Sequence, residues 1–520
     1  MVLSDKIVNT HCPTSFNCHN IKRFLSMAFL GTFIFAFTII IGSIVFANDT
    51  YDLTPVIVVA LVCLNVGILY IANRFLHKHI NFFERNWWVV ITTGAIVLFI
   101  INIVFGFMLR YTPVFDLGAI FTGASEWAVT GNFMERMDPT CDSNYFYYFP
   151  NNLGGMTLLY FAFKIASLFG GTDYFAIAMI TNAVLAAIMV LLTILICKRL
   201  FGIRQSVMAL TCILFMPTSY FIAPTFYTDS LSVVFPVLVI YLYLRTIGSK
   251  TLASKIFFSI MIGVACAIGM LIKFTVMISL IAVVIYHCIR KGVVSALSIA
   301  AISVSVIIGV FALFNGYFYS NHLEKATAQS LNTPYTHWIM MSLEGEGRYN
   351  PQDYEFTRSF DDIEERDSAI SSEITRRIGE KGVMGMLELF KKKGIISFGD
   401  GTLAQSDFLD DTPAHSTFLH RFVLYDSEYH GVYKYACAGI FYALLLLMLI
   451  AALGSLYAKQ QCDAMLPMLC VFGIMLFLMF WEATGRSITN YVPMIIIPAV
   501  YGLDLICRER GKAALWMKGI

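Results

Sequence analysis

Residues 87–116 read WWVVITTGAIVLFIINIVFGFML followed by RYTPVFD. The first part is an uncharged apolar run, and about 20 such residues are what a helix needs to cross the hydrocarbon of a bilayer. The second part sets a carboxylate, Asp116, a few residues past the end of that span, wet on one side and lipid-bound on the other. A mostly apolar segment (Leu117–Thr130) follows, then a polar link (Gly131–Asn144) and the aromatic string Tyr145-Phe146-Tyr147-Tyr148-Phe149-Pro150. Asn151-Asn152-Leu153-Gly154-Gly155 opens another apolar segment. A carboxylate at a membrane surface, fenced by aromatic rings, is the strongest candidate for chemistry in the chain.

Composition agrees with that reading. Of 520 residues 58% are hydrophobic and 13% charged, against roughly 25% charged in soluble proteins, which makes this an integral membrane protein. Lys6, Lys22 and Arg23 precede a first apolar run too long for a signal-peptide core, so that run reads as a retained span. A net charge of +2 gives no pointer to nucleic acid. Most of the 12 cysteines fall in apolar runs or near their ends, and Cys141 is the one placed outside. Without Cys-x-x-Cys or zinc spacing they read as small packing residues.

Runs suitable for spanning lie near 26–47, 54–75, 87–109, 174–197, 206–223, 229–247, 255–271, 274–290, 293–317, 435–457, 465–482 and 488–506. Lysine and arginine on short loops collect on the cytoplasmic side. With the N-terminus inside, clusters such as Arg74/Lys78/Arg85, Lys198/Arg199/Arg204, Arg245/Lys250/Lys255, Arg290/Lys291 and Arg508/Arg510/Lys512/Lys518 all face the cytoplasm, with Lys459. Apart from the long loop 318–434, only Arg110, Arg136, Lys164, Lys273 and Arg486 remain outside. Reading Leu153–Phe169 as a span would invert every later cluster, so it is placed as a helix lying at the outer interface. The expected architecture is an all-α membrane protein of about 12 spans with both termini inside. It divides into a two-span extension (1–86), a transmembrane core (87–317) with its first outer loop at 110–173, a mostly helical capping loop (318–434), and C-terminal spans with a cytoplasmic tail (435–520). Within the capping loop, Asp361–Lys381 has the spacing of an amphipathic helix.

Ionisable residues at span ends are costly without partners or work, and several fall on one outer rim: Asp116, Asp229, Lys273, Glu482, Arg486, and His337 in the capping loop. Each also marks where a helix meets water. For His337 the plainer reading is a loop histidine packed on Trp338, whereas Asp116 and Asp229 stand in tight turns that favour function. Arg486 suits a phosphate through its planar fork.

Phe115-Asp116, a short apolar helix, and then Phe149-Pro150-Asn151-Asn152-Leu153-Gly154 opening a second resemble the first outer loop of lipid-dependent C-type membrane glycosyltransferases. These are the protein O-mannosyltransferases (glycosyltransferase family 39) and the lipid A aminoarabinose transferase. The Arg199-Leu200-Phe201-Gly202-x-Arg204 turn, the Tyr227-Thr228-Asp229 link and the Glu482…Arg486 pair also resemble that family's landmarks. The resemblance covers roughly 87–310 and 465–506. It departs where Leu117 follows Asp116 in place of a second acid, where Phe149-Pro150-Asn151 replaces His-Pro-Pro, and where Ser487 follows Arg486.

The resemblance implies transfer of a sugar from a polyprenyl-phosphate donor to an acceptor hydroxyl, with inversion, the acceptor being a glycan, a lipid or a protein. Asp116 is then the candidate base. Asp229 orients the acceptor or shares a divalent metal cation with Asp116, since paired carboxylates suit hard cations; no organic cofactor is expected. Arg486 and Lys273 meet the donor phosphate, and Tyr147, Tyr148, Asn151, Tyr227, His337 and Glu482 line the substrate pocket. The expected location is a plasma membrane, of bacterial type, with the site outside the cytoplasm. The alternative is a multi-span transporter or flippase of a lipid-linked solute, which would place its site near the midplane; a polysaccharide polymerase or ligase would share the rim chemistry.

Overall fold

The computed structural model describes residues 14–47, 50–134, 144–409, 413–458 and 463–517, with side chains from Asn20 to Arg508. Lys6, Arg136, Cys141, Lys459 and Lys518 lie outside the described residues, as does most of the link Gly131–Asn144, and the side chains of Arg510 and Lys512 are likewise outside. Among the described residues the chain is helical and has no strand, only an isolated bridge between Tyr111 and Pro413. In chain order the main helices are α1 (Thr14–Phe46), α2 (Pro55–Lys78), α3 (Trp87–Met108), α4 (Phe115–Thr130), α5 (Leu153–Ser167), α6 (Tyr174–Phe201), α7 (Ile203–Phe215) and α8 (Val234–Gly248). They continue as α9 (Leu252–Ile272), α10 (Met277–Lys291), α11 (Val293–Asn321), α12 (Ile363–Phe398), α13 (His430–Tyr457), α14 (Met465–Met479) and α15 (Val492–Met517). Among the described residues ten helices are long and apolar enough to cross a membrane, and α7 and α14 are shorter apolar helices. Together they fall on the apolar runs read from the sequence.

The segment 110–173 is closed on itself. Arg110, just past α3, grips Asp173 with both guanidinium nitrogens at 2.6 and 2.8 Å, and Asp173 also caps α6 by accepting from the amide of Ala176 at 3.1 Å. Between these ends α4 and α5 pack side by side, α4 stopping at Gly131 in the left-handed region (φ 86°). α5 crosses α9 so closely at Gly154 that a Cβ would overlap the Leu271 carbonyl. Its outer face is apolar, with Phe161, Ile165 and Leu168 exposed, and it is not among the spanning candidates. Such a helix suits the boundary between headgroups and acyl chains.

Two runs break sooner than their hydropathy suggests. The run 206–223 stops as a helix at Phe215, because Pro217 has no amide to donate and restricts Met216. A 3₁₀ turn, Pro217–Tyr220, and irregular backbone follow as far as Tyr227. Backbone that leaves a helix at membrane depth must find other hydrogen-bond partners, and two buried asparagines of the spans supply them. Asn102 of α3 donates to the Ser219 carbonyl at 2.7 Å and accepts from the Ala223 amide at 3.2 Å. Asn182 of α6 donates to the Ile222 carbonyl at 2.6 Å and to the Ser230 hydroxyl at 3.1 Å. The run 465–482 likewise ends as α14 at Met479, and the chain resumes through a 3₁₀ segment, Gly485–Tyr491, before α15.

The expected amphipathic helix forms the first part of α12, which bends at Gly382 (φ 56°, ψ −171°) and then runs on to Phe398. This second part is built into the bundle. Phe398 meets Phe37 of α1 edge-on at 5.6 Å, and the Tyr51 hydroxyl donates to the Ile396 carbonyl at 2.8 Å. The described cysteines are free, none in a disulfide.

Replacing Asn102 with leucine should strip the side-chain partner from the Ser219 carbonyl and the Ala223 amide and cost about 1–3 kcal/mol, the penalty for an unsatisfied buried polar group. Denaturant unfolding of wild type and variant in the same detergent measures it, and equal stability would show that the irregular segment does not rely on this side chain.

Candidate active site

Asp116 lies in the first turn of α4. The residue before it, Phe115, has φ 51° and a side chain 65% exposed. A non-glycine residue held in that region costs of order 1–3 kcal/mol, and such strain gathers at functional sites. One carboxylate oxygen of Asp116 accepts from the Tyr145 hydroxyl at 2.8 Å, the other from the Tyr227 hydroxyl at 3.0 Å. Asn152 donates in turn to the Tyr145 oxygen at 2.5 Å, so the carboxylate sits at the end of an Asn–Tyr–Asp relay. Burial first, and the Asp116 charge second, push both phenols well above their ordinary pKa; they stay protonated and keep donating.

Asp229, two residues beyond Tyr227, is 3% exposed. An isolated buried carboxylate costs several kcal/mol, and two cations offset that here. Lys273, at the end of α9, forms an ion pair with one oxygen, and the Arg486 Nε stands 3.8 Å from the other. The Arg486 guanidinium also lies over the rings of Tyr227 at 5.3 Å and Phe408 at 5.8 Å. Tyr227 thereby joins the two acids, its hydroxyl on Asp116 and its ring beneath the cation of Asp229. Glu482 completes the cluster. Burial raises its pKa; the Arg486 and Lys273 charges oppose the rise, and Asp116 and Asp229 add to it.

Distant parts of the chain hold Glu482–Arg486 in place. Gly485 abuts the Asp400 carboxylate where a Cβ would not fit. Asp400, itself buried, accepts from the Thr402 amide (2.9 Å), the Thr402 hydroxyl (2.6 Å) and the Ala404 amide (2.6 Å). This fixes a turn with Leu403 and Ala404 at φ 56° and 51°. The Ala483 amide donates to the Gly347 carbonyl at 2.8 Å. Lys393, with no exposed surface, donates to the Ser342 carbonyl at 3.1 Å and the Met479 carbonyl at 3.0 Å. Burial lowers its pKa to about 7, Glu482 pulling the other way. A neutral amine has two N–H donors, matching the two carbonyls.

Of the residues singled out from the sequence, Asp116, Asp229, Lys273, Tyr227, Glu482 and Arg486 come together. Tyr147, Tyr148, Asn151 and His337 do not. The Tyr147 hydroxyl accepts from the Glu324 amide at 3.2 Å, and Arg358 stacks on Tyr148 at 3.5 Å, so these rings anchor the segment 318–434. Asn151 is exposed and donates to its neighbour Asn152 at 3.3 Å. His337 is buried, bonded through Nδ1 to the Thr357 hydroxyl at 2.6 Å and packed edge-on to Trp338 at 5.1 Å; burial brings its pKa to about 4. The tyrosine that reaches Asp116 is Tyr145, and the asparagine behind it is Asn152. Helical phase selects them, and a string of five aromatic residues does not reveal it. Phe408 and Lys393 are not singled out by the sequence, since a lone ring and the last of three consecutive lysines carry no local sign of burial, and Asp400 reads there only as part of a Gly399-Asp400-Gly401 turn.

The donor set does not fit a cation shared by Asp116 and Asp229. Asp229 faces Lys273 and Arg486, both Asp116 oxygens accept from tyrosines, and among the described residues no three His, Cys, Asp or Glu side chains gather to hold a metal.

A family model described as "Conserved hypothetical integral membrane protein" matches residues 14–505. No curated protein matches the sequence. Among solved structures, ArnT from Cupriavidus metallidurans bound to undecaprenyl phosphate is similar at 14% identity and TM-score 0.36, over 80% of this chain and 77% of that one. ArnT in the apo state gives 13% and 0.35 over 81% and 78%. The archaeal oligosaccharyltransferase AglB from Archaeoglobus fulgidus, in complex with an inhibitory peptide and a dolichol-phosphate, gives 10% and 0.40 over 84% of this chain and 52% of that one. The chain thus spans about half the length of AglB. These are remote likenesses of fold alone.

Lys393 gives the protein a pH signature. Between about 7 and 10.5 the unfolded chain holds a proton on this lysine that the folded protein has released, so stability rises with pH across that window. Thermal unfolding in detergent from pH 7 to 10 should show the rise in the wild type, and Lys393→Met should remove that component of it. A variant with an unchanged slope would remove Lys393 as its source.

Proposed function

We propose that this chain, which belongs to the conserved hypothetical integral membrane protein family that matches it over residues 14–505, is a membrane glycosyltransferase. In this reading it moves a sugar from a polyprenyl-phosphate donor to an acceptor hydroxyl at the extracytoplasmic face, with inversion. The observation that carries the proposal is the convergence of Asp116 and Asp229 on Tyr227, with Arg486 and Lys273 beside them, at the end of the bundle away from the basic clusters. The donor class follows the resemblance of residues 87–310 and 465–506.

Asp116 accepts the proton of the acceptor hydroxyl while its oxygen bonds to the anomeric carbon. The bond from that carbon to the phosphate oxygen breaks on the opposite side, and polyprenyl phosphate leaves with the electron pair. One displacement inverts the centre. A base so placed is worth about 10²–10⁴-fold in rate, and the two tyrosine hydroxyls hold its carboxylate in one orientation. Charge growing on the leaving phosphate meets Arg486 and Lys273, fixed cations in a partly dry site, where they count for most. Until the donor arrives, Asp229 keeps both cations paired. Glu482, in the same cluster, is a hydrogen-bonding group for the sugar.

Purified protein given a radiolabelled polyprenyl-phosphate sugar, with release of free polyprenyl phosphate followed, tests the reading. Asp116→Asn should lower turnover by at least about 100-fold with unfolding behaviour unchanged; equal turnover would take Asp116 out of the reaction. Arg486→Ala should raise the donor KM and lower kcat, and an unaltered donor dependence would refute its role. Translocation of the lipid without bond cleavage would identify a flippase instead.

A further inference from the structure

A cavity of about 450 Å³ lies at the far ends of the helices that lead to the candidate site. It is set among the last turns of α6, α8 and α10 and the start of α14, and its charged and phenolic walls are Arg199, Tyr243, Tyr286, Arg290, Lys291 and Asp463. α8 and α10, of 15 residues each, rise ~22 Å at 1.5 Å per residue. They separate the cavity from Asp229 and Lys273, which precede them in the chain. The two sites therefore stand at opposite faces of the membrane.

Cations outnumber acids around this cavity. Asp463 pairs with Arg290 and accepts from the Tyr286 hydroxyl at 2.9 Å, and the Arg290 Nε donates to the same hydroxyl at 3.1 Å. One cation is thus neutralised. Arg199 and Lys291 have no ion-pair partner among the described residues. Arg199 is fitted over the end of α8 at Gly248, where a Cβ would strike its guanidinium. Tyr243 is fixed by a 3.0 Å hydrogen bond with His287 Nδ1, whose Nε2 meets the Ser295 hydroxyl at 2.8 Å. The remaining wall is apolar, made by Leu200, Leu244, Ile247 and Leu466. Two exposed cations without an ion-pair partner among the described residues thus border a cavity that also has an apolar side.

We propose that this cavity binds the phosphate of an anionic phospholipid in the leaflet opposite the candidate active site, with Arg199 and Lys291 meeting the phosphate charge and the leucine–isoleucine wall taking the first part of an acyl chain. A free phosphate would satisfy the cations equally well but would leave the apolar wall without an occupant. Basic pockets between spans on the cytoplasmic side are suited to lipid headgroups on general electrostatic grounds. The proposal does not depend on the reaction at the other face.

Native mass spectrometry of the full chain, released from micelles containing either phosphatidylglycerol or phosphatidylcholine, tests it. The wild type should retain one phosphatidylglycerol with a preference of about thirtyfold, the worth of two basic side chains at a membrane surface. Arg199→Glu combined with Lys291→Glu should bring that preference near unity. Both residues are exposed, and unfolding in phosphatidylcholine checks that the variant is intact. Equal retention of the two lipids by the wild type, or undiminished preference in the variant, would overturn the proposal. Displacement of phosphatidylglycerol by millimolar inorganic phosphate alone would overturn it in favour of a soluble anion.

Discussion

A carboxylate buried at the end of a membrane bundle has to be matched by positive charge, and Asp229 sets that condition for this protein. The cost of an unpaired charge in such a place is several kcal/mol, as large as a substantial part of a domain's net stability. Lys273 and Arg486 meet the demand from two other hairpins of the fold. Three distant chain segments are thereby forced to converge at one point. Tyr227 extends the convergence to a fourth segment through its hydroxyl on Asp116. The site and the packing of the bundle's end are one problem with one solution, in which Asp229 faces two cations and Asp116 two hydroxyl donors.

The same economy governs the backbone. To present Tyr227 and Asp229 the chain leaves helical geometry after Phe215, and lipid offers no hydrogen bonds to replace those given up. Asn102 and Asn182 stand in for water. At the other break, after Met479, the amine of Lys393 and the carbonyl of Gly347 take that part. These groups touch none of the proposed reacting atoms. They hold the segments that do, so the part of 318–434 beyond the bend at Gly382 is a piece of the site's scaffold as well as a cover over it.

The helices were legible in the sequence because hydropathy and length report lipid burial directly, one run at a time. So were the site's charged members. Asp116, Asp229, Lys273, Glu482 and Arg486 are conspicuous as ionisable groups beside apolar runs, and their shared sidedness follows from the loop charges. The errors have a physical source. Tyr147 and Tyr148 were read toward the pocket and anchor the outer segment, while Tyr145 faces Asp116. Choosing among adjacent rings requires the phase of a four-residue helix, Tyr145–Tyr148, and sequence gives no phase for so short an element. His337, named for the pocket although its plainer reading is packing on Trp338, is buried against that ring.

By itself, then, the sequence determined the class of the protein, the positions of its apolar helices and the candidate acids and bases, because each of these depends on residues close together in the chain. Only the tertiary structure decided that Asp229 binds Lys273 and Arg486 together, that Asp116 is held by Tyr145 and Tyr227, and that the lysine at position 393 is buried against two helix ends. Those pairings join residues up to hundreds of positions apart. Their energies come from desolvation and geometry, which exist only once the bundle has closed.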